Sequence, residues 1–238
     1  KTISNAFIFM FKDEDWKYKL FVLSALAFPG SFLGFQSENL KLYMKGITFG
    51  SENFFEIILF FLLLLVFIIA CTFLFEGYCC KCTQKIIYAN NETPENDSLP
   101  KWENEFWEYS KIGVAFSIGV GLLGLAVALG SILILPLLFY MVAYVALKTL
   151  FCVDFKMSSF FAWKKAMKLM SSNPGRYFSV IFSSLGIYII FGIISYFCTL
   201  SFILVFLGAF VQAYVYLVLA YLRGTLFQVT PEVFFETD

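Results

Sequence analysis

Forty-six consecutive residues, from Tyr177 to Leu222, carry no charge, and Arg176 and Arg223 flank them. Drawn out as one α-helix, such a run would be about 69 Å long. That is more than twice the ~30 Å hydrocarbon thickness of a bilayer. The run must fold back, and the stretch from Cys198 to Ser201 divides it into two lengths that each suit one crossing. A second neutral run, Ile112 to Leu147, holds 36 residues, with Gly130 and Ser131 at its middle as the expected hairpin. Residues 57–75, "IILFFLLLLVFIIACTFLF", fit a single pass, and a shorter block over 20–35 contains Pro29 and Gly30. Six spans are expected, at about 20–36, 55–75, 112–129, 132–148, 177–198 and 202–222. The fold class is all-α, a polytopic membrane protein in which residues 1–238 form a single integral membrane domain.

Composition agrees with hydrocarbon as the solvent. The chain is 60% hydrophobic and 14% charged, with mean hydropathy +0.80, whereas a soluble domain is nearer half apolar and a quarter charged. Net charge is formally zero, so no basic field exists for nucleic acid. The 32 phenylalanines read as compositional drift, since Phe costs nothing in a bilayer. Histidine is absent, which removes the usual general base and the commonest metal ligand. No nucleophile–base pair or metal-hydrolase pattern stands out, so neither an enzyme nor a cofactor is expected. The acidic cluster Asp13-Glu14-Asp15 ahead of the first apolar run argues against a signal peptide.

Cationic residues set the expected topology. Of the 17 lysines and arginines, all but Lys41 and Lys45 fall on one side of a six-span arrangement. The positive-inside rule makes that side cytoplasmic, with both termini there.

Charged, aromatic segments precede three of the spans. "LPKWENEFWEYSKIG", residues 99–113, places Trp102, Phe106, Tyr109 and Gly113 at helical spacing, which predicts an interfacial amphipathic helix over 101–113. "FKDEDWKYKL" holds Trp16, and "FFAWKKAMKLM" lines Phe160, Trp163, Met167 and Met170 on one stripe, ended by "NPGRY". Trp16, Trp102, Trp107 and Trp163 are the expected interfacial anchors to membrane lipids. The expected plan is three units, each an interfacial helix followed by a hairpin.

Three of these stretches carry a resemblance. "FKDEDWKYKL" (Asp13, Asp15, Trp16, Lys19), "EGYCCKCTQKII" (Gly77, Tyr78) and "LPKWENEFWEYSKIG" (Leu99, Pro100, Trp102, Gly113) resemble the signature blocks of an uncharacterised family of bacterial and archaeal multi-pass membrane proteins, a domain of unknown function. The resemblance covers most of the chain. It implies a prokaryotic protein of the plasma (inner) membrane and assigns no activity.

Chemistry-bearing residues are few. "CCKC" offers Cys79, Cys80 and Cys82, but neighbours on a helix point apart and a fourth ligand is missing, so no metal is expected. Glu56 and Glu76 lie at the two ends of the second span, and Gln212 is the amide of the fourth neutral block. Ser117, Gly121, Gly124 and Ala128 form small-xxx-small pairs, marking the third span as the expected packing centre. Pro136 is placed to kink the fourth span, and the sequon at Asn91 falls on the cytoplasmic side. Two functional readings follow. The first is a non-enzymatic membrane-organising, assembly or partner-binding module, engaging lipid and either a protein partner or a second copy. The alternative is a transporter or permease-type subunit for an uncharged or amphipathic solute, with Gln212, Tyr140 and Tyr144 lining a polar cavity.

Overall fold

A computed structural model describes residues 2–46, 54–89, 99–102, 105–130, 134–198 and 202–227. Every regular element among them is helical. A short helix, α1 (Thr2–Ile8), and a 3-10 turn over Phe9–Lys12 lead into α2 (Trp16–Gly46) and α3 (Phe54–Tyr88). Next come α4 (Phe106–Gly130), α5 (Ile134–Asp154), a 3-10 turn over Met157–Phe161, α6 (Trp163–Ser172), α7 (Pro174–Cys198) and α8 (Phe202–Phe227). Among the described residues three helices, Phe55–Tyr88, Pro174–Cys198 and Leu204–Leu226, are long and apolar enough to cross a membrane. The longest neutral runs are broken where turn chemistry indicates: α4 stops at Gly130 before α5 starts at Ile134, and α7 stops at Cys198 before α8 starts at Phe202.

Burial is polarised along the helices. From Phe55 to Phe67, α3 shows Phe55, Leu59, Phe60, Leu62, Leu63, Leu65, Val66 and Phe67 on every side. From Cys71 onward one side of the same helix is enclosed, with Phe75, Tyr78, Cys79, Cys80, Cys82 and Ile86 all buried. On α7, Phe182, Ile189, Ile190, Ile193, Tyr196 and Phe197 are likewise open. A helix apolar all round needs an apolar surrounding, because contiguous exposed patches of this extent are rare on soluble monomers.

The packed end is built around α8, which lies against α2, α3 and α7. Its Ala209, Ala213, Leu217 and Ala220 are buried in one cluster, and small side chains at helical spacing let neighbours come close. Phe28 of α2 stacks on Phe206 with centroids 4.5 Å apart. Helix α1 lies along α8, where Tyr214 Oη donates to the Phe7 carbonyl at 2.9 Å. Arg176, in the first turn of α7, donates from Nη2 to the Thr225 carbonyl near the end of α8 at 3.3 Å, and contacts described below join the starts of α2 and α4 to the ends of α3 and α5, so successive long helices run in alternate directions.

Several local expectations shift. The helix predicted over 101–113 begins at Phe106 and continues unbroken to Gly130, while Leu99–Trp102 is irregular. The cause is the set of side chains that engage this segment's backbone, described in the next section. "FKDEDW" is likewise not a separate helix: its Asp13 precedes the start of α2, which runs straight through Pro29. A proline there forfeits one backbone hydrogen bond without stopping the helix. Helix α6 does stand alone, but it buries Ala166 and Leu169 and leaves Met167 exposed. Pro136 falls in the first turn of α5, where its missing N–H has no intrahelical acceptor to lose and no kink is required. In "NPGRY", Asn173 separates two helices and its Oδ1 accepts from Arg176 N at 3.3 Å, so Pro174 opens α7.

Candidate functional site at the lysine-bearing end

Asp13 is where three distant segments meet. Its Oδ1 accepts from Asp15 N at 3.0 Å, the short-range bond by which Asp orders a turn ahead of a helix. Both carboxylate oxygens also accept from Lys19 Nζ at 2.9 Å. Asp13 Oδ2 takes a further bond from Leu99 N at 2.9 Å. The Leu99 carbonyl accepts from Lys19 Nζ at 3.3 Å and Lys85 Nζ at 3.1 Å. Both backbone polar groups of Leu99 are thus gripped by charged side chains from α3, from α2 and from the approach to α2. Asp13 and Lys19 are almost fully enclosed, so each depends on the other to offset lost hydration.

Next to this clamp, Tyr78 stacks on Trp102 with centroids 4.4 Å apart and planes 9° from parallel. Tyr109 meets both rings edge-on. Tyr78 Oη donates to the Pro100 carbonyl at 3.0 Å, and Tyr109 Oη bonds to Lys101 O and to Glu105. Burial first, and then the bond to Glu105, push the Tyr109 phenol above the usual tyrosine range. Two glycines permit the approach. A Cβ at Gly77 would fall on the Tyr109 carbonyl, and one at Gly113 on the Phe73 carbonyl. Helices α3 and α4 cross here at backbone contact.

A second buried group lies at the ends of α3, α5 and α8. Lys148 Nζ sits 3.1 Å from Glu76 Oε2 and 4.1 Å from the centre of the Phe116 ring. Arg223 Nε donates to the Leu219 carbonyl at 3.2 Å, whereas its Nη2 is buried without an acceptor among the described residues. Cys80 and Cys152 are hydrogen-bonded to each other and lie near both cations. Burial alone would raise the Cys152 thiol, but the bond from Cys80 and the Arg223 and Lys148 charges bring it below the ordinary thiol range.

Between the last turns of α3 and the segment after Leu99, a groove of about 310 Å³ opens, lined by Lys81, Gln84, Lys85, Tyr88, Pro100, Lys101 and Glu105. Lys81 Nζ is 2.6 Å from Glu108 Oε1.

The residues singled out from sequence are distributed as follows. Trp107 is 72% exposed beside Lys111. Trp16 is half-buried with its ring edge-on to Phe11. Trp163 is half-buried against the core. Trp102 is enclosed by the two tyrosines, and its indole N–H has no acceptor among the described residues. Gln212 Oε1 accepts from Ser31 Oγ at 3.2 Å, joining α8 to α2. Tyr144 is half-buried on α5, while the side chains of Tyr140 and Ala128 lie outside those described, as does Asn91 altogether. Ser117 is half-buried, and around a Cβ at Gly121 or Gly124 nothing lies within 4 Å. Among the described residues, helix backbones come into direct contact at Gly77 and Gly113. Cys79 and Cys82 face one core cluster and Cys80 the other, as the 100° helical step requires. Sequence reasoning missed the Asp13–Lys19 clamp and the meeting of Glu76, Lys148 and Arg223. The available signal was that each of the latter three sits at the edge of a neutral run.

What the described residues define is an all-helical arrangement in which three helices are long and apolar enough to cross a membrane. No protein-family model matches the chain, and no curated protein or solved structure matches it.

Proposed function

We propose that this chain is a non-enzymatic integral membrane module of the prokaryotic plasma membrane, a member of the family its three blocks resemble, which organises or assembles partners through its membrane-facing helices. It crosses the bilayer six times, by α2, α3, α4, α5, α7 and α8, with the clamped end cytoplasmic. The observation that carries this reading is the contrast between the two ends. The lysine-bearing end is closed by its own ion pairs and aromatic packing, while α7 presents an uninterrupted apolar face. The amide of Gln212, the expected centre of a solute path, is bonded to Ser31, which favours the module over the permease.

Topology is tested with introduced thiols, because all six native cysteines are buried. Glu56 and Lys111 are exposed. In intact cells a membrane-impermeant maleimide is expected to label Glu56→Cys and not Lys111→Cys; the opposite pattern reverses the orientation. The functional reading is tested by placing a photo-crosslinking amino acid at Ile190, which is open on α7. A discrete protein adduct in living cells is the expected result. Adducts to lipid alone, together with solute flux in proteoliposomes, would transfer the assignment to the permease reading.

A further inference from the structure

The cluster at the ends of α3, α5 and α8 has no part in the proposed module activity, and one of its charges stands without an ion pair. Lys148 is paired with Glu76 at 3.1 Å. Arg223 is 7% exposed, and among the described residues no carboxylate pairs with it. Its Nε is taken up by the Leu219 carbonyl, and its Nη2 is buried without an acceptor. A guanidinium cannot shed its proton to escape such a position, so the buried charge calls for a counter-charge close by. Beside it lie two thiols, Cys80 of α3 and Cys152 of α5, hydrogen-bonded to each other. Both are fully enclosed in one core cluster and within electrostatic reach of Arg223.

We propose that Cys80 and Cys152 together bind one soft monovalent metal ion, of the class of Cu(I). Thiolates select such ions. The ligand count selects further. Among the described residues no group of three or more His, Cys, Asp or Glu could hold a metal, so an ion that takes three or four protein ligands, zinc above all, is not served. A closed-shell monovalent ion is satisfied by two thiolates in a line. Charge selects the same ion. On binding, each thiol releases its proton to solvent, two sulfur–metal bonds form, and no electron is transferred. The product carries one negative charge, equal and opposite to that of Arg223. A divalent ion between the same thiolates gives a neutral product and leaves Arg223 without compensation. Cys79 and Cys82 face the other core cluster and take no part.

The experiment uses the full chain in detergent under reducing conditions, with Cu(I) delivered as its complex with a competing chelator. Withdrawal of one Cu(I) per chain is expected, and X-ray absorption should show two sulfur ligands. Three or more sulfurs, or ligation by nitrogen and oxygen, overturn the proposal, as does Zn(II) retained as tightly as Cu(I). Cys80→Ser and Cys152→Ser are each expected to weaken binding by more than about a hundredfold, the upper range for losing an outer partner, while Cys79→Ser leaves it unchanged. Arg223→Met removes the compensated charge without touching the metal, and is expected to weaken binding about tenfold. Unaltered affinity in Cys152→Ser or Arg223→Met, or an equal loss in Cys79→Ser, also overturns it. The X-ray absorption is read on the unaltered chain, so it decides even where a variant does not fold.

Discussion

Gly77→Ala is expected to prevent the folded chain from accumulating. The added methyl group would occupy the position of the Tyr109 carbonyl oxygen, and neither backbone can move without the other. To relieve the overlap, α3 and α4 must separate, which opens the stack of Tyr78 on Trp102 and the edge contacts of Tyr109. Overpacking a core with a flexible side chain costs about 1–3 kcal/mol. Here the obstacle is main chain, so the cost is set at about 4 kcal/mol or more, the range reserved for named structural failures. Gly121→Ala is the control on the next helix. Nothing lies within 4 Å of a Cβ built there, and alanine favours helix over glycine, so stability should be unchanged or raised by up to about 1 kcal/mol. Size-exclusion profiles and thermal unfolding in detergent decide the matter. A monodisperse Gly77→Ala protein with unchanged melting temperature would show that the two helices do not cross at this point.

The second large effect is expected from Asp13→Ala. The substitution leaves the Lys19 ammonium enclosed without its carboxylate and takes the acceptor from Leu99 N. Breaking a buried pair from one side typically costs about 3–5 kcal/mol, mainly because a charge stays behind without compensation. Loss of the bond to Asp15 N adds roughly 1 kcal/mol, the usual net value of one hydrogen bond. Lys19→Met in the same background removes the stranded charge, so the double variant should be more stable than the sum of the single changes predicts. A coupling of about 0.5–3 kcal/mol is expected for groups in direct contact. Intrinsic tryptophan fluorescence follows the loss, since Trp102 lies three residues from Leu99. Additive single and double variants would place the two charges in separate, hydrated surroundings.

The parts of this fold that were legible in sequence are those governed by the solvent. Neutral runs, and the glycine or short polar residues that interrupt them, located the boundaries at Gly130 and Cys198. The parts that were not legible depend on pairing across distance. Asp13 and Lys19 each look like ordinary interfacial charges, and only the return of Leu99 to the same place makes them a unit. The spacing of Trp102, Phe106 and Tyr109 suggested a helical face. Trp102 and Tyr109 instead share one neighbour, Tyr78, and a shared neighbour imposes a pattern on sequence much as a helix does. The groove was hidden for the same reason, since Lys101 and Lys85 are separated by residues whose path no local rule supplies.

The clamp also has a consequence for biosynthesis. Asp13 and Leu99 are 86 positions apart in the chain. At ~5–20 residues per second, a ribosome takes on the order of ten seconds to deliver the second after the first. During that interval α2 and α3 are made while the acid and its lysine await their peptide. The nascent protein therefore passes through an unlatched intermediate, and only synthesis of the segment beyond α3 closes it.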